Sequence, residues 1–279
     1  MHIDVLRYAA FTSDPAGGNP AGIVLDAAGL DATRMLAVAA EVGYSETAFV
    51  TAARGRRFTL RYFSPLAEVA FCGHATVATA VALAERIGPG ELVFDTPAGE
   101  IPVRTAVEAG SMRASLTSVP TRSRPATDAE VDGTLAALRW ARAELDPALP
   151  AHVAFAGNDH LVLAAGTRER LADLSYDFDA LAAVMRRYGW TTVHLVWRED
   201  EWRYHARDPF PVGGVVEDPA TGAAAAAFGG YLRAVGLVRE PTRIAIRQGE
   251  DMGRPSDLLV EVRPDDPRVR VGGGAVRIG

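Results

Sequence analysis

The chain has 279 residues, of which 48% are apolar and 23% charged, and its net charge is −6. No apolar stretch reaches the roughly 20 residues of a membrane span, and the basic residues are spread along the chain, so neither a bilayer nor nucleic acid is an expected partner. All 29 basic residues are arginine. Without a lysine amine, a pyridoxal-phosphate enzyme, a Schiff-base aldolase and a P-loop are all excluded.

The segment Met1-His2-Ile3-Asp4-Val5-Leu6 lacks the basic flank, apolar run and cleavage site of a secretory signal, so a cytoplasmic location is expected. Apolar or alternating runs then predict strands over 3–9, 22–25, 47–51 and 57–63. Two helices interrupt them. Asp31 caps one that runs through Met35, Leu36, Val38 and Val42 to Gly43, and a second starts at His74 or Ala75, continues through Ala84 and ends near Gly88-Pro89-Gly90. Strands over 91–94, 100–104 and 111–117 follow. Residues 118–128, with Pro120, Ser123, Pro125 and Thr127, read as a linker or long loop. Helical spacing over 128–145 opens the second half. After it come strands over 152–156, 160–164, 192–197 and 202–206, helices over 177–187 and 222–235, and terminal strands over 243–247, 257–263 and 268–277.

The two halves repeat one plan. Gly43 precedes a strand-like Glu46-Thr47-Ala48-Phe49-Val50 as Gly189 precedes Thr192-Val193-His194-Leu195-Val196, and Arg61-Tyr62-Phe63-Ser64-Pro65 stands to Arg207-Asp208-Pro209-Phe210-Pro211, both 146 residues apart. Gly18-Asn19 before Ile23-Val24-Leu25 echoes Gly157-Asn158 before Leu161-Val162-Leu163, and Cys72 stands 147 residues before Pro219. Neither half alternates strand and helix regularly, which excludes a doubly wound sheet. The expected fold is α+β: two similar domains, 1–118 and 119–279, each a barrel-like sheet about a central helix. The last strands belong to the second domain or return to the first. A site is expected where a polar turn from each copy meets the other.

Those turns are Phe71-Cys72-Gly73-His74-Ala75-Thr76 and Glu217-Asp218-Pro219-Ala220-Thr221-Gly222, each opening an alanine-rich helix. A helix start carries unpaired N–H groups and partial positive charge, and Gly73 and Gly222 let a carboxylate approach the backbone. The same small residues also serve close helix–sheet packing. Asp218, extended before Pro219, also reads as a plain helix cap, and His74 as a satisfied polar residue. Cys72 and His74, near neighbours in sequence, are expected to point apart. Glu46, at the entry to an apolar strand, is a partly desolvated carboxylate suited to carrying a proton both ways, or an exposed strand-end residue. His2, His152, His160, His194 and His205 show no metal-ligand spacing, and no metal site is expected.

Gly18-Asn19-Pro20-Ala21-Gly22-Ile23-Val24-Leu25, Ser45-Glu46-Thr47-Ala48-Phe49-Val50 and the two turns resemble the motif set of the PhzF-like isomerases of phenazine biosynthesis, and Gln248-Gly249 with Met252-Gly253-Arg254-Pro255-Ser256 resembles their C-terminal signature. The resemblance implies a diaminopimelate-epimerase-like fold with the active site in the interdomain cleft, proton transfer without a cofactor, and a homodimer. It implies that Glu46 shuttles the proton and that Gly73, His74 and Asp218 contact a small carboxylate-bearing substrate. Asn19, Cys72, Thr221, Gly222 and Ala223 stand in the same motifs and complete the expected substrate-binding set. Ala223 replaces the family's frequent Ser, removing one hydroxyl contact, and Pro219 in place of a second cysteine excludes a two-thiol racemase. Two other functions fit the residues: a one-thiol epimerase of an amino or hydroxy acid working through Cys72, and a protein that binds a small acid without turnover.

Overall fold

The computed structural model describes residues 3–108 and 110–279, so His2 lies outside the described residues. The chain divides into two compact units: unit 1, Met1–Thr117 with Gly272–Gly279, and unit 2, Ser118–Val271. Unit 1 runs β1 (Leu6–Ala10), β2 (Asn19–Val24), α1 (Ala32–Val42), β3 (Glu46–Arg54), β4 (Arg57–Phe63), β5 (Glu68–Val69), α2 (Gly73–Ile87), β6 (Gly90–Thr96), β7 (Gly99–Glu108) and β8 (Ser111–Thr117). Unit 2 begins with β9 (Arg122–Pro125), α3 (Asp128–Leu138), β10 (His152–Phe155), β11 (Asp159–Ala164), α4 (Arg168–Ala172), α5 (Phe178–Tyr188) and β12 (Trp190–Arg198). It continues through β13 (Arg203–Pro209), β14 (Glu217–Asp218), α6 (Gly222–Ala234), β15 (Thr242–Gln248) and β16 (Ser256–Val262), and β17 (Val269–Arg277) leaves it to return to unit 1 at Gly272.

In unit 1 the strands pair β1–β2–β3–β4–β6–β7–β8. β17 then joins β8 to β1, Ala275 facing Ala10 and Arg277 facing Tyr8, which closes an eight-stranded barrel. Inside lies α2, which packs on β1, β2, β3, β7 and β8. All of its residues from His74 to Ala84 are buried, as a helix without a polar face must be. Unit 2 pairs its strands in the order β9–β10–β11–β12–β13–β15–β16. The second and third strands of each repeat (β2 and β3, β11 and β12) are parallel, as are the fourth and its next long partner (β4 and β6, β13 and β15). α6 is the buried helix of unit 2, with Gly222 and every residue from Ala224 to Leu232 inside. Both units are thus curled sheets about one small-residue helix.

Several boundaries move. The predicted 3–9 strand begins at Leu6. The expected linker 118–128 contains β9, whose Ser123 faces Ala154 and whose Pro125 ends the strand, where a missing N–H costs no ladder bond. The predicted 128–145 helix stops at Leu138 because Arg139 turns left-handed (φ 59°), and its cap is Thr127, joined to Glu130 in a reciprocal capping box. α1 starts and stops at the predicted caps, Asp31 and Gly43, and α5, predicted over 177–187, is capped by Asp177 and Gly189.

The core of unit 2 encloses ionisable groups. His160 Nδ1 lies 2.8 Å from Thr192 Oγ1 and His194 Nδ1 2.7 Å from Asp208 Oδ1, all four residues being buried. Burial pushes His160 from its ordinary value of 6.5 down to about 4; the Asp208 charge opposes this and His194 adds to it. The folded state therefore holds His160 neutral while the unfolded chain takes up a proton below about pH 6.5. The stability this contributes is present above pH 6.5 and is lost as pH falls toward 4, at up to about 1.4 kcal/mol per pH unit. Urea unfolding between pH 7 and 4.5 is expected to show that slope, and His160→Asn to flatten it by one proton's share.

Candidate active site

Unit 1 gathers three of the predicted residues. Glu46 opens β3 opposite Ala21 of β2, Cys72 is the N-cap of α2, and His74 lies in its first turn. His74 Nε2 lies 3.5 Å from Glu46 Oε2 and 3.4 Å from Ser45 Oγ, and Nδ1 lies 3.3 Å from Cys72 Sγ. Cys72 and His74 therefore do not point apart. Cys72 is extended (φ −144°, ψ 115°) and the chain coils immediately after it, which folds the thiol back over the first helical turn.

Glu46 keeps 19% of its side-chain surface and His74 7%, so the carboxylate is no exposed strand-end residue. Burial drives the His74 pKa down; the Glu46 charge and a hydrogen bond with the Pro20 backbone oppose it without reversing it. The imidazole is then neutral near pH 7, and its contact with Glu46 is polar and not an ion pair. Asn19, beside Pro20, is buried on β2 opposite Ala10. One ligand atom from each of Glu46, Cys72 and His74 lies within 4.8 Å of the others. The three groups come from two elements, a grouping that histidine spacing does not register.

The second turn forms its own network in unit 2. Thr221, not Asp218, is the N-cap of α6, and Pro219 precedes the helix. Thr221 Oγ1 donates to Asp218 Oδ2 at 2.6 Å. The buried Gln248 amide spans the turn, accepting from Thr221 N at 3.1 Å and donating to Asp218 O at 2.8 Å and Thr221 Oγ1 at 3.1 Å. Because Nε2 can only donate, the Thr221 hydroxyl proton must point at Asp218, which fixes that carboxylate oxygen as an acceptor. The next residue, Gly249, has φ 76°, and a Cβ there would lie 2.4 Å from Arg254 O and 2.8 Å from Pro219 O. Glycine is therefore required where β15 meets the turn.

Aligning the two N-caps places Cys72 with Thr221 and His74 with Ala223, and not Cys72 with Pro219 as the sequence offsets suggest. The loop between β13 and β14, residues 210–216, is longer than residues 64–67 between β4 and β5, which shifts the register. The second turn still lacks a thiol. The strand before each turn is braced alike: Arg61 donates from Nε and Nη2 to Glu68 at 2.7 Å each, and Arg207 to Glu217 at 2.9 and 2.6 Å. Neither N-cap of α2 or α6 makes a side-chain capping bond, whereas Asp31, Thr127, Thr167 and Asp177 cap α1, α3, α4 and α5.

Ser45, the Pro20 backbone, Gln248 and the Arg207–Glu217 pair were not expected among these residues. All but Arg207 stand in the motifs that carry the resemblance, and Arg207 had only its place in the repeat. A groove of ≈320 Å³ in unit 2, lined by Arg122, Arg124, Asp159, Tyr188 and Trp190 among others, contains none of the predicted residues. Its arginines are already engaged, Arg124 with Glu130 at 2.6 Å and Arg122 over the Phe155 ring at 3.4 Å.

The family model of phenazine biosynthesis-like proteins, PhzC-PhzF, matches residues 8–279. The chain belongs to the PhzF family. An isomerase of Deinococcus radiodurans is 36% identical over 98% of this chain and 90% of its own length. The trans-2,3-dihydro-3-hydroxyanthranilate isomerase of Pseudomonas chlororaphis is 32% identical over 97% and 95%. Among solved structures, a PhzF-family phenazine biosynthesis protein of Bacillus anthracis superposes with a TM-score of 0.90 at 27% identity, covering 100% of this chain and 98% of that one. The PhzF-family chain is thus an isomerase, α+β in fold, and among its described residues no helix is long and apolar enough to cross a membrane.

Proposed function

We propose that this PhzF-family isomerase moves a proton on a small carboxylate-bearing substrate without a cofactor, with Glu46 as the acid/base. The observation that carries the reading is the Glu46 carboxylate, four-fifths buried and 3.5 Å from a buried imidazole. A carboxylate there takes a proton from substrate carbon and returns one to a different carbon, its partial exposure letting the held proton exchange with solvent. Neutral His74 donates or accepts a hydrogen bond as charge develops and does not compete for the proton. The N-termini of α2 and α6, whose cap side chains make no capping bond, suit the substrate carboxylate at Gly73 and Gly222. Asp218, its orientation fixed by Thr221 and Gln248, orients the substrate. Asn19, Cys72, Thr221 and Ala223 complete the contacts, and the enzyme works as a cytoplasmic homodimer.

The experiment is NMR in D₂O with a panel of small cyclic and amino-acid carboxylates. Deuterium entering substrate carbon is the expected result; saturable binding with no exchange would leave a binding protein instead. The 3.3 Å contact between Cys72 Sγ and His74 Nδ1 favours a second reading, in which the thiol carries the proton. Cys72→Ala separates the two. Exchange that persists in it keeps Glu46 as the carrier, and exchange lost there but kept in Glu46→Gln transfers the role to the thiol.

A further inference from the structure

The cluster that the proposed reaction uses is also a set of metal ligands of mixed softness. Cys72 Sγ lies 3.8 Å and Glu46 Oε2 3.5 Å from the same nitrogen, His74 Nε2. Tetrahedral zinc, with bonds of about 2.0 Å to nitrogen or oxygen and about 2.3 Å to sulfur, has ligand–ligand edges of roughly 3.3–3.6 Å. One ligand atom from each of the three residues lies within 4.8 Å of the others, and a side-chain rotation of an ångström or more, turning Cys72 Sγ from Nδ1 toward Nε2, brings them onto one ion. One thiolate, one imidazole and one carboxylate suit zinc or cobalt, whereas magnesium and calcium need an oxygen cage that is absent from this group. Three protein ligands leave a fourth coordination position open.

We infer that Cys72, His74 and Glu46 bind a thiophilic divalent cation, Zn²⁺ above all, and that the metal-loaded enzyme is switched off. On binding, the Cys72 thiol gives its proton to the buffer and its sulfur coordinates the ion, and no electron is transferred. The ion takes the Glu46 oxygen and the His74 lone pair that proton transfer needs, so Zn²⁺ is a reversible inhibitor competing with substrate. The inhibition rests on the proposed function; the binding does not.

Co²⁺ titration of the wild-type protein tests the binding directly. A near-ultraviolet thiolate-to-cobalt band with visible d–d bands of tetrahedral intensity is expected, bleached by Zn²⁺. Cys72→Ser should lose the thiolate band, and His74→Asn and Glu46→Gln should each weaken Co²⁺ binding by at least about tenfold, the least effect expected of removing a direct ligand. Folded wild-type protein with no thiolate band overturns the inference, as does a band that survives unweakened in both His74→Asn and Glu46→Gln. In the exchange assay Zn²⁺ should abolish deuterium incorporation and EDTA restore it; exchange that continues with the site spectroscopically full overturns the inhibitory role. A cobalt spectrum without exchange on any substrate would instead remove the proposed proton transfer and keep the metal site.

Discussion

Glu46→Gln is expected to lower the rate of solvent-proton exchange by about 10²–10⁴-fold, the usual loss when a positioned proton carrier is removed. The amide preserves the shape of the side chain and a polar group near His74 Nε2, but it cannot hold a proton at the position the carboxylate occupies, 3.5 Å from that nitrogen. His74 is a poor substitute, because burial holds its pKa low and a buried imidazole resists taking the charge. Deuterium incorporation measured by NMR decides the matter, with circular dichroism confirming the fold. A rate within a few-fold of wild type would remove Glu46 from the reaction.

The largest stability effect is expected at Arg207. Its guanidinium makes two bonds to Glu217 and a third, at 2.7 Å, to the Ala172 carbonyl at the end of α4. Only 10% of the Arg207 and 5% of the Glu217 side-chain surface is exposed, so Arg207→Met strands a buried carboxylate and should cost about 3–5 kcal/mol in denaturant unfolding. The double variant Arg207→Met with Glu217→Gln should recover part of that loss. The matching pair in unit 1, Arg61 and Glu68, is 30% and 35% exposed, and Arg61→Met should cost no more than about 1 kcal/mol. Equal losses at the two positions would show that burial is not what separates them. Because Glu217 immediately precedes Asp218 on β14, the Arg207 variant should also lose activity while still folded.

Local signals carried much of the fold. Asp31 and Gly43 bracket α1 because capping is written in two residues, and the run of small and apolar residues from Ala75 to Ala84, free of charge, marks a helix buried on every side. The prolines around β9 hid a strand, since a pairing with β10 is a tertiary fact that overrides turn composition. Among the candidate residues, Glu46, His74, Cys72 and Asp218 were legible as chemistry-bearing residues at the ends of elements. The approach of Cys72 to His74 was not, because it depends on how the backbone enters α2. The partner of Arg207 was hidden for a related reason: the longer loop before Glu217 displaces it from the offset that the rest of the repeat obeys.

β17 closes the unit 1 barrel with residues that follow the whole of unit 2 in the chain. On a ribosome, therefore, the first unit cannot be completed first. At ordinary elongation rates it waits about 10–30 s while residues 118–271 are made, with the edges of β1 and β8 unpaired. Unit 2 gains its own strands earlier and is free to form before the unit that precedes it. Nascent unit 1 thus carries two unpaired strand edges through the synthesis of unit 2, the kind of edge that invites pairing with another chain.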